Sequence, residues 1–338
     1  MNGPLPGADA GTLPAVGSGT LLAVDAGNSK TDVVVLSGDG DVLGAARGGG
    51  FQPPLVGVAA AVDGLAEIVA RACADAGVPV GFAHVTACLA NADLPVEEAA
   101  LRDEVLSRGW SRSVRVHNDT FAILRAGVDE PRGVAVVCGA GINCVGMTPD
   151  GRTARFPAIG KLSGDWGGGG GMADEALWCA ARGEDGRGEP TGLSRALPAH
   201  FGLETMYALI EALHLGRVPM ERRHELTPVL FRVSAAGDPV ALSLVHRLAE
   251  EVVVMASVAL GRLGLLDEPA PVLLGGSVLA ARHPQLEERV RALLAVRAPR
   301  AAVGFVTAPP VLGAGLLALD ETAAAPSAAA RLREHYGA

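Results

Sequence analysis

The sequence predicts an α/β protein of two related domains, each opening on a three-strand antiparallel meander. Three observations carry this. The stretch "TLLAVDAGNSKTDVVVLSGDGDVLGAARGG" reads as strand, polar bend, strand, tight turn, strand. A later stretch, "GVAVVCGAGINCVGMTPDGRTARF", repeats that order, again with a glycine-bearing bend between its first two strands. Between and after them, Ala-rich segments of helical period alternate with short apolar strands. With 338 residues, 49% of them hydrophobic, the chain has length for two ordinary domains and enough apolar material to fill their cores.

In order, residues 1–19 are rich in Gly, Pro and Ala and lack a basic stretch before an apolar core, so they read as a flexible tail rather than a signal peptide. The first meander follows, its second turn Gly38-Asp39-Gly40-Asp41 having hairpin chemistry. Three strands joined this tightly are not a βαβ unit, which argues against a dinucleotide-binding Rossmann start. Residues 56–77 have helical period and end at Gly77-Val78-Pro79. "FAHVTACLA" reads as a strand, and "PVEEAALRDEVLSRG" as a helix with acidic residues in its first turn, where the helix dipole favours them. "SVRVHND" is a strand stopping at Asp119, and "TFAILRAG" begins a helix. After the second meander come a glycine-rich block at 164–171 and helices over 172–183, 203–214 and 238–264. "PVLLGGSVL" is a buried strand ending in Gly-Gly-Ser. "LEERVRALLAV" is a helix, "RAAVGFVTA" a strand, and "PVLGAGLLALDE" a last helix opened by proline. Residues 323–338 read as a frayed Ala-rich tail.

Composition narrows the function. The net charge is −9 and the only lysines are Lys30 and Lys161, so no basic face for nucleic acid is expected. The five cysteines are odd in number, widely spaced and set in apolar segments without a CxxC, as in reduced cytoplasmic thiols rather than a disulfide or metal framework. No uninterrupted apolar run approaches the ~18 residues that a membrane span requires.

Each polar motif has a bland reading beside a functional one. Asp25 ends a strand, Gly27 permits a bend, and Asn28, Ser29, Lys30 and Thr31 offer polar groups beside exposed backbone N–H. That is an ordinary polar hairpin or a cradle for phosphate oxygens, with Asp25 placed to hold magnesium through water. Gly139, Ala140 and Gly141 form the matching second bend, and its recurrence favours phosphate binding from two sides. Asp119 sits between strand and helix, as an N-cap or as the base for an attacking hydroxyl. Five consecutive glycines follow Asp165 and Trp166, more than a purely structural loop needs. Gly275-Gly276-Ser277 is a strand-to-helix turn or a loop against a nucleoside. Cys138 and Cys144 read as small hydrophobes and the histidines as surface or satisfied core residues.

Taken in order, "AVDAGNSKTDVVV", "HNDTFAIL", "GAGINCVGMTPDG", "SGDWGGGGGMADEALW", "LLGGSV" and "PVLGAGLLAL" resemble the N-acetylglucosamine kinase and benzoyl-CoA-reductase-activating ATPase family, of BadF/BadG/BcrA/BcrD type, within the sugar kinase, actin and heat-shock chaperone superfamily. The resemblance spans roughly residues 20–320. It implies an actin-like, ribonuclease H-like fold with duplicated βββαβαβα domains around a cleft. The N-terminal domain would cover 20–127, joined by the last helix at about 310–322, and the C-terminal domain 128–309. It implies that Gly27, Asn28, Ser29, Lys30 and Thr31 form the first phosphate loop and Gly139, Ala140 and Gly141 the second. Gly275, Gly276 and Ser277 would form the adenosine loop, Asp25 the residue near magnesium and Asp119 the catalytic base. Asn118, Asn143 and Asp165 would contact the sugar. The resemblance further implies MgATP as co-substrate and a homodimer.

The chain departs from that family in its details. Gln52 stands in "GGGFQPPLVG" where the kinases carry an Asn, and Asn28 where they commonly carry Gly. Extra glycines follow Asp165. These changes leave the phosphate chemistry in place and put the acceptor in question: N-acetylglucosamine phosphorylated at its 6-hydroxyl is the first expectation, glucosamine or an aminoglycoside or nucleoside sugar the alternative. The redox-activating branch of the family is disfavoured, because Gly275-Gly276 lead to Ser277 and Val278 rather than to a Gln-Asp pair. A non-catalytic sugar sensor is disfavoured by the retained Asp119.

Overall fold

A computed structural model describes residues 19–338. The tail expected over 1–19 therefore lies, but for Gly19, outside the described residues. Contacts divide the chain into two compact units: one of the residues up to Asp119 together with Pro310–Ala338, the other Thr120–Pro309.

Each unit is built on a five-stranded mixed sheet. In the first, β1 (Thr20–Ala26), β2 (Thr31–Ser37) and β3 (Val42–Gly48) form the antiparallel meander. β4 (His84–Leu89) and β5 (Val114–Asn118) then extend it in parallel, in the order β3-β2-β1-β4-β5. In the second, β6 (Gly133–Cys138), β7 (Ile142–Met147) and β8 (Thr153–Arg155) repeat the meander, and β9 (Ala270–Gly275) and β10 (Ala301–Phe305) run parallel to β6, giving β10-β9-β6-β7-β8. The central strands are buried on both faces, which is why they read as unbroken Val, Leu and Ala runs rather than as alternation.

The helices cover these sheets. Val58–Ala76 buries Val62, Leu65, Val69 and Ala72 and stops at Gly77, whose φ of 66° provides the left-handed cap. The 25-residue helix Pro239–Leu263 starts at the N-cap Asp238, which accepts from the Ala241 N–H at 2.8 Å and also from Gly192 N–H and the Thr191 hydroxyl.

Two expectations are corrected. The helix expected over 172–183 begins at Gly168, inside the glycine block, and runs to Asp185. The C-terminal residues do not fray: Pro326–Tyr336 is a helix with Ala328 and Leu332 buried. Its backbone lies so close to the β2–β3 turn that a Cβ on Gly40 would sit 2.1 Å from the Ala328 carbonyl oxygen, and Arg331 pairs with Asp41 at 3.1 Å. Burial, and then the charge of Asp32, push the Tyr336 phenol up to about 12. Ala-rich composition hid this helix, since its burial depends on a partner at the opposite end of the chain.

Candidate active site

In the first unit, the β1–β2 bend is a closed local structure. The Gly27 N–H donates to the Lys30 carbonyl at 2.9 Å, turning the chain so that Asn28, Ser29 and Lys30 stand exposed. Lys30 is not a free cation: its Nζ lies 3.0 Å from Asp32. Burial would raise the Asp32 carboxyl, but Arg47 and Lys30 together hold it below its usual range. Thr31 is buried at the start of β2.

Asp25, only 7% exposed at the end of β1, has its carboxyl pushed up to about 7, first by burial and then by the charge of Asp119. The two carboxylates predicted for metal and base are thus close enough to oppose each other's ionisation. This donor set suits magnesium, which takes one or two carboxylates and otherwise relies on water and phosphate oxygens. A dication there would favour the ionised carboxylate against both the burial and the Asp119 charge that raise it. Among the described residues no cluster of three or more His, Cys, Asp or Glu is placed to hold a metal by protein ligands alone.

Gln52 reaches the same bend. Its Nε2 donates to the Asn28 carbonyl at 3.0 Å, which leaves Oε1 as the acceptor it can present. Asn118, expected to contact sugar, is 3% exposed, and its Nδ2 donates to Asp93 at 2.9 Å. The amide is turned into the protein, and Asn118 anchors the strand end from which Asp119 projects.

The second unit brings its three predicted loops together through backbone. The Gly139 N–H donates to the Gly141 carbonyl at 2.9 Å, closing the second bend. The glycine block then lies on it: Gly169 N–H donates to the Gly139 carbonyl at 2.6 Å and Gly170 N–H to the Ala140 carbonyl at 3.1 Å. A Cβ on Gly168 would stand 2.6 Å from the Ala140 oxygen. Gly276, at φ +81°, closes the other side, where a Cβ would be 2.5 Å from the Cys138 oxygen. These glycines are present because backbone touches backbone. Gly275 and Ser277 flank Gly276, with Ser277 exposed.

A cavity of about 260 Å³ opens beside these loops, lined by Ala140, Gly141, Lys161, Asp165, Gly171 and Glu175 among others. Asp165 Oδ2 is used within its own loop, accepting from Gly160 N–H at 3.0 Å and the Ser163 hydroxyl at 2.6 Å. Trp166 lines the same cavity, with the Arg247 guanidinium 4.2 Å over its ring. Asn143 is fixed at both ends of its amide, accepting from Cys144 N–H at 2.7 Å and donating to the Thr120 hydroxyl at 3.2 Å. Burial pushes the Cys138 thiol up to about 12 and raises Cys144 as well, so neither is a nucleophile.

Two groups escaped the sequence reading. Asn91, just past β4, donates to Asn28 Oδ1 at 3.0 Å and to the Phe51 carbonyl at 3.2 Å. Its one sequence signal is an asparagine directly after a buried strand. The other group is a carboxylate between two imidazoles. Glu321 accepts from His84 Nε2 at 2.8 Å, Thr86 Oγ1 at 2.6 Å and His117 Nε2 at 2.6 Å. Burial alone would raise Glu321, but the His117 and His84 hydrogen bonds bring it down to about 2. Residues so far apart in sequence leave no local pattern.

Comparison with known proteins places this geometry. The chain is 25% identical over 232 residues to the N-acetylmuramic acid/N-acetylglucosamine kinase of Clostridium acetobutylicum, covering 69% of this chain and 76% of that protein. It is 25% identical over 230 residues to the N-acetyl-D-glucosamine kinase of Dictyostelium discoideum, covering 65% and 72% respectively. Among solved structures, a candidate N-acetylglucosamine kinase from Chromobacterium violaceum superposes with a TM-score of 0.64 at 23% identity, over 88% of this chain and 98% of that one. A hexokinase from Thermus thermophilus gives 0.54 at 19%, over 90% and 99%. The fold is thus the α/β fold of these sugar kinases, with the two related domains that the duplicated meander predicts and the family that the resemblance implies. The profile of the BadF/BadG/BcrA/BcrD ATPase family matches residues 22–318, nearly the whole described chain, and the protein belongs to that family.

Proposed function

We propose that the protein is an ATP-dependent sugar kinase that transfers the γ-phosphoryl group to the 6-hydroxyl of an amino sugar, N-acetylglucosamine being the first candidate. The observation that carries this is the Asp25–Asp119 carboxylate pair beside a polar bend, in a chain whose second unit brings three glycine loops together. The names of the two curated relatives point to the same acceptor class.

In this reading Asp119 receives the proton of the sugar hydroxyl as its oxygen forms a bond to the γ-phosphorus. The bond from that phosphorus to the β–γ bridging oxygen breaks and ADP departs. An unperturbed Asp has a pKa of about 4, so positioning contributes more than basicity. Magnesium would neutralise charge on the phosphate oxygens, with Asp25 as its protein partner. Backbone N–H groups of residues 27–31 and 139–141 would face the phosphates, and Gly275–Ser277 the nucleoside. Gln52 Oε1, left free by the bond its Nε2 makes, suits a donor on the sugar such as an acetamido N–H or a hydroxyl. Asn143 and Asp165 complete the proposed sugar contacts, and Asn118 supports the base from behind. A cytoplasmic homodimer belongs to the same proposal, and its mass in solution tests it.

The test is ADP release from MgATP with N-acetylglucosamine, glucosamine, N-acetylmannosamine, N-acetylmuramic acid, glucose and an aminoglycoside, with Asp119→Asn as control. Stimulation by one amino sugar, abolished in the variant, is expected. Release indifferent to every acceptor would overturn the kinase reading and favour an ATPase.

A further inference from the structure

We propose that Asn91 is a positioning residue that braces the first polar bend against the loop carrying Gln52, acting through Asn28. The proposal rests on the sugar-kinase reading only for the identity of the ligand that the braced loops receive.

Asn91 has φ +62°, one of four non-glycine residues in the left-handed region among those described. Asparagine tolerates this conformation better than most residues, yet it is still uncommon for a side chain to be held there. Here the conformation aims the carboxamide at two loops at once. Its Nδ2 supplies one hydrogen to Asn28 Oδ1 and the other to the Phe51 carbonyl. Two further bonds join the same loops directly: Phe51 N–H to the Gly27 carbonyl at 2.9 Å, and Gln52 Nε2 to the Asn28 carbonyl at 3.0 Å. Gly50 allows the approach, since a Cβ there would lie 2.0 Å from the Asn28 oxygen.

The four bonds make residues 27–28, 50–52 and 91 one cross-linked patch. Without Asn91, Asn28 loses the donor to its side chain, and the carbonyl that orients Gln52 sits on a bend held only by the Phe51 and Gln52 bonds. The brace thus fixes which face of the Gln52 amide meets the acceptor, and it removes in advance loop freedom that binding would otherwise have to restrict. Asn28 and Asn91 act as a pair, which explains why a side chain occupies the bend position where a glycine would serve the backbone alone.

The variants are Asn91→Gly, Asn28→Gly and the double change. Glycine at 91 keeps the left-handed backbone without strain and deletes only the amide. Three readouts are needed: KM for acceptor against kcat, melting temperature, and amide hydrogen exchange over residues 27–31 and 49–52. For Asn91→Gly we expect acceptor KM to rise about tenfold, the equivalent of one good hydrogen bond, with kcat changed less than about threefold. Exchange in both loops should accelerate while the melting temperature stays near wild type. The double variant should be little worse than Asn91→Gly alone, because that change already removes the link to Asn28. Wild-type KM and wild-type exchange in Asn91→Gly would overturn the proposal and reduce Asn91 to its backbone conformation. Should the wild-type protein phosphorylate no sugar, the exchange measurement still decides the brace, so the two readings fail separately.

Discussion

The two meanders solve one problem in two ways. Each needs a polar bend held rigid between two buried strands. In the first unit side chains do most of the tying: Asn91 and Gln52 donate to Asn28 and Lys30 pairs with Asp32, beside one main-chain bond from Phe51 N–H to the Gly27 carbonyl. In the second it is tied by main chain, with Gly169 and Gly170 N–H groups on the carbonyls of Gly139 and Ala140 and with Gly276 against Cys138. The first solution leaves room for variation, because an amide can be exchanged for another polar group. The second is strictest at Gly168 and Gly276, where a Cβ would fall 2.6 and 2.5 Å from a carbonyl oxygen.

The comparison can be broken at several points. The largest effect is expected at Asp119. Asp119→Asn should lower kcat about a thousandfold, some 4 kcal/mol of barrier, while nucleotide affinity stays within about twofold of wild type. Equilibrium binding of a non-hydrolysable nucleotide beside steady-state kinetics checks this. Gly276→Ala does the reverse. Its Cβ falls 2.5 Å from a carbonyl oxygen at φ +81°, so about 3 kcal/mol of stability should be lost in urea unfolding, together with nucleotide binding. Glu321→Gln should cost the first unit about 3 kcal/mol at neutral pH, because it removes a buried charge from two imidazole partners. The pH dependence has a definite sign. The Glu321 carboxyl is held at about 2 in the folded protein against an ordinary 4.5. Its contribution is therefore complete above about 4.5 and drains away as the pH falls toward 2. Unfolding of wild type and Glu321→Gln at pH 7, 5, 4 and 3 should show the gap closing only at the acid end. The smallest effect is a gain. Gly64 lies inside the helix Val58–Ala76 with ordinary φ, and a Cβ there would meet nothing within 4 Å. Gly64→Ala should stabilise by about 1 kcal/mol, in contrast to Gly276, and thermal unfolding checks it.

Much of this was legible in the sequence for local reasons. The strands showed as apolar runs, the β2–β3 turn as Gly-Asp-Gly-Asp, and the duplication as a repeated order of strand and bend. Where legibility failed, the deciding contact was long-range. The helix Gly168–Asp185 starts among glycines because carbonyls of residues 139–140 hold its first amides, which no helix propensity encodes. The last helix is fixed by Gly40 and Asp41 near the other terminus. The resemblance made Asn118 a sugar contact; that its amide also donates to Asp93 at 2.9 Å needed coordinates. Gln52 was found by its departure from a familiar pattern. Asn91, which holds the same bend, sits in no pattern and needed coordinates.

The last helices have a consequence for how the protein is made. The second unit is one continuous stretch, Thr120–Pro309, whereas the first needs residues from both ends of the chain. The helix Pro310–Glu321 buries Leu312, Leu316 and Leu319 and ends at Glu321, whose carboxylate joins β4 to β5 through His84 and His117. During synthesis, therefore, residues 20–119 must wait for residues 310–338 before their unit is complete. Until Pro310–Glu321 emerges, β1 and β4 lack the helix that packs on them. A chain without Pro310–Ala338 would keep every residue of the second unit but leave the first, with Asp25 and Asp119, incomplete.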